Sequence, residues 1–261
     1  MNEVLQKVKI SEEAHLLKVR APEAAPRAKP GQYLLLKNDL TQPAFPCLIA
    51  GVERDSIIMA VPTKGGQSKG IDSLRKGKKV IVIGPLGKHI VPDQYGNIAI
   101  VCDGLTALAG CWIARSLHLG DNKVFLIVSS KGKIPKSLSK KLSESADKVF
   151  VVQEGPSKIG DPLISEVHNL MRKKHINLTF TLVDLVHSQQ LAKITHLRSK
   201  TFSFLTSIID DGLGIGSHCR VIFDGETRLA CIEGPAMDAH KIDWNTLLMR
   251  HGFSNAIPRE L

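Results

Sequence analysis

Residues 98–117 read IAIVCDGLTALAGCWIARSL, and this stretch contains the change of pattern that decides the fold. The apolar run at residues 98–101 predicts a buried strand, and residues 106–117 predict a helix after a polar turn. The alternation continues with predicted strands at residues 124–128, 148–152 and 178–183 and predicted helices at residues 136–145 and 162–175. We therefore predict a parallel sheet covered by helices, an α/β domain of the nucleotide-binding type, over residues 94–205.

Residues 1–93 have a different pattern, in which short runs with strand character are separated by Pro and Gly. Strands are predicted at residues 14–19, 32–37, 56–61 and 79–83. No stretch between them has the apolar spacing of a helix. We therefore predict that this segment is a β-barrel domain.

Residues 206–261 follow neither pattern, because they are rich in Gly and contain Cys219 and Cys231. Residues 220–230 predict a hairpin with Asp-Gly at its turn, and residues 243–250 predict a short terminal helix. The apolar residues of that helix, among them Trp244, would either bind a partner or close the core. We expect this segment to be a small C-terminal unit.

The composition limits the classes of function. Lys and Arg number 35 against 25 Asp and Glu, and the resulting net charge of +10 favours an anionic partner without identifying it. Aromatic residues make up only 5% of the chain, which is few for a protein that stacks single-stranded bases. We expect no nucleic-acid partner.

The sequence also predicts a cytoplasmic protein. It does not open on a basic segment followed by an apolar run, so we expect no secretion signal. The most apolar window, residues 98–114, is interrupted by Asp103 and two glycines, so we expect no membrane insertion. The cysteines number 5, an odd count at low density that suits a reducing compartment.

The most specific motifs lie in the third segment. Residues 211–221 read DGLGIGSHCRV, residues 230–235 read ACIEGP and residues 238–240 read DAH; the barrel adds PGQY at residues 30–33 and GPLGK at residues 84–88. With its barrel, α/β domain and Cys-bearing tail in this order, the chain resembles the iron-sulfur flavoprotein subunits of the ferredoxin-NADP reductase superfamily. These are the electron-transfer subunit of dihydroorotate dehydrogenase and the small subunit of NADH-dependent ferredoxin:NADP oxidoreductase, also called sulfide dehydrogenase beta subunit.

The resemblance implies an electron relay. A nicotinamide nucleotide on the α/β domain would exchange hydride with FAD on the barrel, and a 2Fe-2S cluster in the tail would pass electrons to a catalytic partner. Each of these sites has an altered motif in this chain.

For the cluster, Asp211 matches the first ligand, Cys219 the third and Cys231 the fourth. The second place falls on Gly216, which has no ligating side chain, so His218, Asp210, water or a partner residue would have to replace it. The alternative is that the two cysteines are small buried residues kept from a metal-binding ancestor. The candidate metal ligands are therefore Asp211, His218, Cys219 and Cys231.

For the flavin, the resemblance points to residues 44–50, which read AFPCLIA. The Arg that the family places near the flavin phosphates is absent, and the family's hydroxyl position is Leu48, next to the weak donor Cys47. Phe45 or Tyr33 would cover a face of the ring.

Residues 64–69, KGGQSK, resemble the family's pyrophosphate-binding turn, although a plain hairpin explains such a turn as well. The candidate FAD-binding residues are Phe45, Cys47, Leu48, Gly65, Gly66, Gln67 and Ser68.

For the nicotinamide nucleotide, the turn after the first α/β strand retains one glycine of the family's cluster, Gly104. Asp103 adds a negative charge where the pyrophosphate would lie. The family's later Cys-Gly-Pro motif is also replaced, near residues 181–184. We therefore expect NAD(P) binding to be lost.

Two basic runs are either solvated helix faces or a docking patch for an acidic ferredoxin; they consist of Lys131, Lys133, Lys136, Lys140 and Lys141, and of Arg172, Lys173 and Lys174.

The sequence as a whole predicts a diverged electron-transfer subunit that relays electrons within a cytoplasmic redox complex, bound to a larger catalytic oxidoreductase subunit. The alternative is a non-redox accessory subunit that kept the fold and the partner interface and lost its cofactors.

Overall fold

Six antiparallel strands form the N-terminal sheet. The computed structural model describes residues 2–39, 43–63, 73–154 and 160–252. The strands are β1 (Glu3–Lys9), β2 (Ala14–Arg20), β3 (Tyr33–Lys37), β4 (Phe45–Glu53), β5 (Ser56–Pro62) and β6 (Ile81–Leu86). Their order is β1-β2-β5-β4-β3-β6, and a bridge between Glu3 and Lys79 brings the two edges together. The predicted barrel is confirmed.

The second sheet is mainly parallel and lies between helices. Its strands are β7 (Asn97–Cys102), β8 (Lys123–Ser130), β9 (Lys148–Gln153), β10 (Leu178–Leu182) and β11 (Lys200–Phe204). The helices are α1 (Ala107–Leu117), α2 (Lys136–Ser143), α3 (Pro162–Lys173) and α4 (Leu185–Thr195). All residues of β8 but the first are buried, as expected for a strand covered on both faces. The predicted α/β architecture is confirmed.

The C-terminal segment contains a hairpin and returns to the second sheet. The hairpin strands β12 (Arg220–Phe223) and β13 (Glu226–Leu229) are followed by the short helix α5 (Ala230–Glu233), strand β14 (Ala236–Asp238) and helix α6 (Trp244–Arg250). β14 pairs antiparallel with β11, so the sheet order is β14-β11-β10-β7-β8-β9. Trp244, Leu247 and Leu248 of α6 are buried, and the Trp244 indole N–H donates to the Ala239 carbonyl at 2.8 Å. Within this chain the helix closes the core.

Several elements were not individually predicted. β4 was obscured by Pro46, which the barrel accommodates as the second residue of the strand, opposite Leu35. Helix α4 begins at a cap: the Asp184 carboxylate accepts from the backbone N–H groups of Val186 at 2.9 Å and His187 at 3.0 Å. Strands β1, β11 and β14 are short or polar on one face, and their pairing depends on tertiary contacts.

One hydrophobic core joins the barrel to the α/β sheet. Tyr33 and Leu48 of the barrel belong to the same buried cluster as Ile100 of β7 and Ala109 of α1. The carboxyl ends of β7, β10 and β11 consequently open toward the barrel, where a doubly wound sheet places its ligands. Among the described residues no helix is both long and apolar enough to cross a membrane.

Candidate functional site

A cavity of about 200 Å³ lies between the barrel and the carboxyl ends of the parallel strands. The barrel wall is formed by β4 and by Ala60 of β5. The α/β wall includes Asp103, Leu182, Phe204 and Thr206. The lining is mostly apolar with a few polar groups, the usual character of a small-molecule site.

The structure brings together three of the candidate flavin residues. Phe45, Cys47 and Leu48 lie on β4 and line the cavity, with Cys47 and Leu48 buried. Burial raises the pKa of the Cys47 thiol well above its ordinary value, so this side chain is a neutral, weak donor. Gly65, Gly66, Gln67 and Ser68 lie outside the described residues.

Thr206 is a cavity residue that the sequence did not single out. Its Oγ1 atom is buried and has no hydrogen-bond partner among the described residues. A buried hydroxyl without a partner loses its hydrogen bonds to water at a cost of about 1–3 kcal/mol. The residue lies two positions after the end of β11, so its place beside the carboxyl end of the sheet could be known only once that strand was recognised.

The turn after β7 is capped by its own carboxylate. Asp103 Oδ1 accepts from the backbone N–H groups of Leu105 at 2.9 Å and Thr106 at 2.8 Å. The Thr106 hydroxyl donates to the Leu182 carbonyl at 2.5 Å, which ties the turn to the end of β10. The N–H groups that a pyrophosphate would use at this helix start are therefore already bonded to an anion within the chain.

A second carboxylate lies against the same turn. Glu13 lies in the loop between β1 and β2, and its Oε2 atom is so close to Gly104 that a Cβ added to Gly104 would overlap this oxygen. Its Oε1 atom lies 3.4 Å from the Lys131 ammonium. Burial raises the pKa of Asp103 from 3.8 to about 6, and the charge of Glu13 adds to this rise while the hydrogen bonds from Thr106 oppose it.

The C-terminal loop brings together only two of the four candidate metal ligands. Cys219 and Cys231, called here the thiol pair, are buried with their Sγ atoms 2.6 Å apart. The Asp211 carboxylate instead accepts from the backbone N–H groups of Leu213 and Gly214 at 2.9 Å and of Gly216 at 2.5 Å. These bonds hold the pKa of Asp211 below its ordinary value although burial opposes them.

The remaining candidate ligand points elsewhere: His218 is exposed, and its Nδ1 lies 3.1 Å from Asp210 Oδ2. Over the described ranges, no three His, Cys, Asp or Glu side chains are grouped as metal ligands would be. A tetrahedral metal with bonds to sulfur of about 2.3 Å holds two thiolates roughly 3.8 Å apart, farther than the thiol pair. The residues present therefore do not fit a four-ligand 2Fe-2S site.

The Cys231 thiol of the pair is held in its protonated form. Burial raises the pKa of Cys231 to about 12, and the neighbouring Cys219 adds to the rise. Tyr33 of β3 donates its hydroxyl to the Cys231 carbonyl at 2.9 Å, and burial likewise raises the pKa of this phenol. The pair is thus anchored to the barrel by a neutral group.

A histidine joins the starts of two α/β helices. His187 Nδ1 lies 2.5 Å from Asp184, the cap of α4, and its Nε2 lies 2.8 Å from Asp161, the cap of α3. The Asp184 hydrogen bond is the main cause that raises the pKa of His187 to about 9. Sequence spacing could not reveal this link, because Asp161 and His187 are 26 residues apart.

We expect His187→Gln to lower the free energy of unfolding at pH 7 by about 1–2 kcal/mol, because two charge-assisted hydrogen bonds are lost. The folded pKa lies above the ordinary 6.5, so the histidine's contribution is complete below pH 6.5 and disappears as the pH rises through about 9. Urea titrations between pH 6 and 10 should show the two proteins converging. His168→Gln on α3 is the matched control, and an unchanged difference at pH 10 would contradict the prediction.

The basic runs are partly neutralised within the chain. Lys131 pairs with Glu13, and Lys140 lies 3.7 Å from Glu144 one helical turn away. Surface pairs of this kind contribute little stability, but they reduce the local positive field.

Comparison with known proteins adds to this geometry. No family profile matches the chain. A curated protein of Thermotoga maritima, named dihydroorotate dehydrogenase B (NAD(+)), electron transfer subunit homolog, is 23% identical over 258 residues, covering 96% of this chain and 90% of that protein. An uncharacterized protein in the adh 3′ region of Clostridium beijerinckii is 26% identical over 269 residues, covering 96% and 89%.

Solved structures extend the comparison to the fold. An NADH-dependent reduced ferredoxin-NADP oxidoreductase, studied for flavin-based electron bifurcation, superposes with a TM-score of 0.84 at 22% identity, covering 96% of this chain and 92% of that one. The chain has a ferredoxin-NADP reductase-like fold. A mutant ferredoxin-NADP⁺ reductase from Plasmodium falciparum, at 9% identity, matches this reductase-like fold with a TM-score of 0.62 over 78% of this chain and 95% of its own. The fold that the motif resemblance implied is confirmed.

Proposed function

We propose that this reductase-like chain is a diverged electron-transfer subunit that binds FAD in the cavity and works on a larger catalytic oxidoreductase subunit. The observation that carries the proposal is the apolar cavity of about 200 Å³ between barrel and sheet, with the unpaired Thr206 hydroxyl in its wall. The name of the Thermotoga maritima relative, an electron transfer subunit homolog, supports the same role.

The chain's own groups have distinct tasks in this proposal. Phe45, Leu48 and Ala60 would exclude water from one face of a planar ring system. The Thr206 hydroxyl would donate to a polar atom at the ring edge, and Ser68 with the Gly65 and Gly66 amides would hold the phosphates. When bound, FAD supplies the capacity to take up and release electrons.

Filling the cavity should weaken flavin binding strongly. Ala60→Phe places a benzyl group in a space of about 200 Å³, so we expect the affinity for FAD to fall at least tenfold in a fluorescence titration. Thr206→Val removes one hydrogen bond and should weaken binding about fivefold while leaving the apo fold intact. The control is Val8→Phe, at a position of β1 that is 44% exposed. Equal FAD affinity in Ala60→Phe and Val8→Phe would place the flavin elsewhere.

We propose further that NAD(P) binding is lost. The N–H groups of Leu105 and Thr106 are bonded to Asp103, and Glu13 adds a second negative charge beside Gly104. An incoming pyrophosphate would have to displace one carboxylate and approach another.

Calorimetric titration of the purified chain with NADPH should therefore show no saturation up to about 1 mM, a range in which even weak specific binding is detectable. Asp103→Gly frees the two N–H groups and should bring measurable, weak NADPH binding. Asp121→Gly, at a left-handed position away from the turn, is the matched control. Micromolar NADPH binding by the unaltered chain would refute the proposed loss.

The occupied turn and the unassembled ligand set also favour the second candidate, a non-redox accessory subunit. Both candidates require a larger partner subunit. An acidic ferredoxin remains a proposed second partner of the basic runs, whose free lysines would attract it over a distance of about a Debye length. The two functions are distinguished by flavin content, because only the electron carrier needs a bound redox centre.

A further inference from the structure

The hairpin of β12 and β13 lies between Cys219 and Cys231 in sequence and brings the two residues together. Arg220 of β12 pairs with Leu229 of β13, and the next backbone bond runs from the Ala230 N–H to the Cys219 carbonyl at 2.8 Å. Cys219 and Cys231 therefore leave the hairpin at the same end. Their Sγ separation of 2.6 Å is much closer to a disulfide bond, about 2.05 Å, than to the spacing of thiolates on a shared metal.

The surroundings hold the two sulfurs against each other. The Cys231 backbone is fixed to Tyr33 at 2.9 Å, and the loop passes over the pair at Gly214, where an added Cβ would lie 3.7 Å from Cys231 Sγ. Gly214 has a φ of +75°, which lets the loop turn at this point. Cys219 and Cys231 are 0% and 1% exposed, so only a small oxidant can reach them.

We propose that Cys219 and Cys231 form a reversible intramolecular disulfide, a two-electron thiol site where the family resemblance would place a metal cluster. The inference stands independently of flavin binding. It is favoured over metal ligation because Asp211 and His218, the other candidate ligands, are bonded to loop N–H groups and to Asp210.

The reaction is balanced with hydrogen peroxide as the oxidant. One cysteine loses its proton, its thiolate sulfur attacks a peroxide oxygen and the O–O bond breaks; the hydroxide that leaves takes up the proton, so a sulfenic acid and one water result. The thiolate of the second cysteine then attacks the sulfenic sulfur and the S–O bond breaks; the leaving hydroxide takes up the proton of that thiol and departs as a second water. Two thiols and one peroxide thus give one disulfide and two waters, and a dithiol reductant returns both hydrogens.

The test uses the full chain, reduced and then exposed to one equivalent of peroxide under anaerobic conditions. After alkylation in denaturant and digestion with trypsin, the disulfide should link the peptide of residues 201–220 to that of residues 229–241. Thiol counting should give 3 of the 5 cysteines alkylated, and 5 after treatment with reductant. This measurement on the unaltered chain does not depend on whether a variant folds.

Variants give a matched comparison. Cys47→Ser should still form the link, because Cys47 lies in the barrel apart from the pair, whereas Cys219→Ser and Cys231→Ser should not form it. Five alkylated cysteines after oxidation, a link between other cysteines, or iron bound to the thiol pair in the purified chain would each overturn the proposal.

Discussion

Replacing Asp103 by Asn should raise the free energy of unfolding at pH 7 by about 2 kcal/mol. The folded protein raises the pKa of this carboxyl from 3.8 to about 6, which corresponds to about 3 kcal/mol against the ionised form before allowance for its partial exposure to the cavity. The two N–H groups that bond this side chain both reach Oδ1, and an amide oxygen can accept them as well. The substitution therefore removes the buried charge and keeps the cap.

The pH dependence of this effect has a definite sign. Because the folded pKa is raised, the folded state binds a proton more readily, and the wild-type protein loses stability as the pH rises from 3.8 to about 6. The stability advantage of Asp103→Asn should grow over that window and stay constant above it. Asp243→Asn is the control of opposite sign, because the hydrogen bond from Thr246 lowers the pKa of Asp243. Equal stability of Asp103→Asn and wild type from pH 4 to 7 would contradict the prediction.

Replacing Gly110 by Ala should lower the free energy of unfolding by about 2 kcal/mol, although Ala favours helices by about 1 kcal/mol over Gly. Helix α1 lies on strand β7 at this point, and an added Cβ would overlap Cys102 Sγ. Leu126 Cδ1, at 3.5 Å, and Ile100 Cγ2, at 3.6 Å, leave little space for the methyl group to move. The close contact holds α1, and with it the Asp103 turn, against the sheet.

A double-mutant cycle tests this cause. Cys102→Ala removes the overlapping sulfur, so Gly110→Ala should cost little in the Cys102→Ala background. Urea titrations of the four proteins supply the coupling energy. A loss of the same size in both backgrounds would show that the effect arises elsewhere in the helix.

The architecture could be predicted because its decisive signal is local. The change from short broken runs to alternating strands and helices after residue 96 depends on neighbouring residues alone, and it indicated a barrel followed by an α/β sheet, the fold class that the structure shows. Strand β4 and helix α4 were harder to predict from the sequence. Pro46 resembles a strand breaker, and the start of α4 depends on a cap shared with His187.

The site could be predicted only in part, because its groups compete for partners in three dimensions. Asp103 could be recognised as a charge at the phosphate position, but not as the acceptor that already occupies the N–H groups there. Asp211 similarly matches a ligand by spacing, while its carboxylate accepts from the N–H groups of its own loop. Glu13 and Thr206 reach the site from segments that are distant in sequence, and such contacts cannot be predicted from the spacing of residues along the chain.

The most direct test of the proposed function is the flavin content of the full chain, purified anaerobically with its natural partners still attached. An absorbance spectrum and extraction of the cofactor should give about one FAD per wild-type chain. The same measurements on the Ala60→Phe variant should give much less FAD per chain. A colourless, flavin-free complex that still contains the larger partner would contradict the electron-transfer account and establish the accessory role.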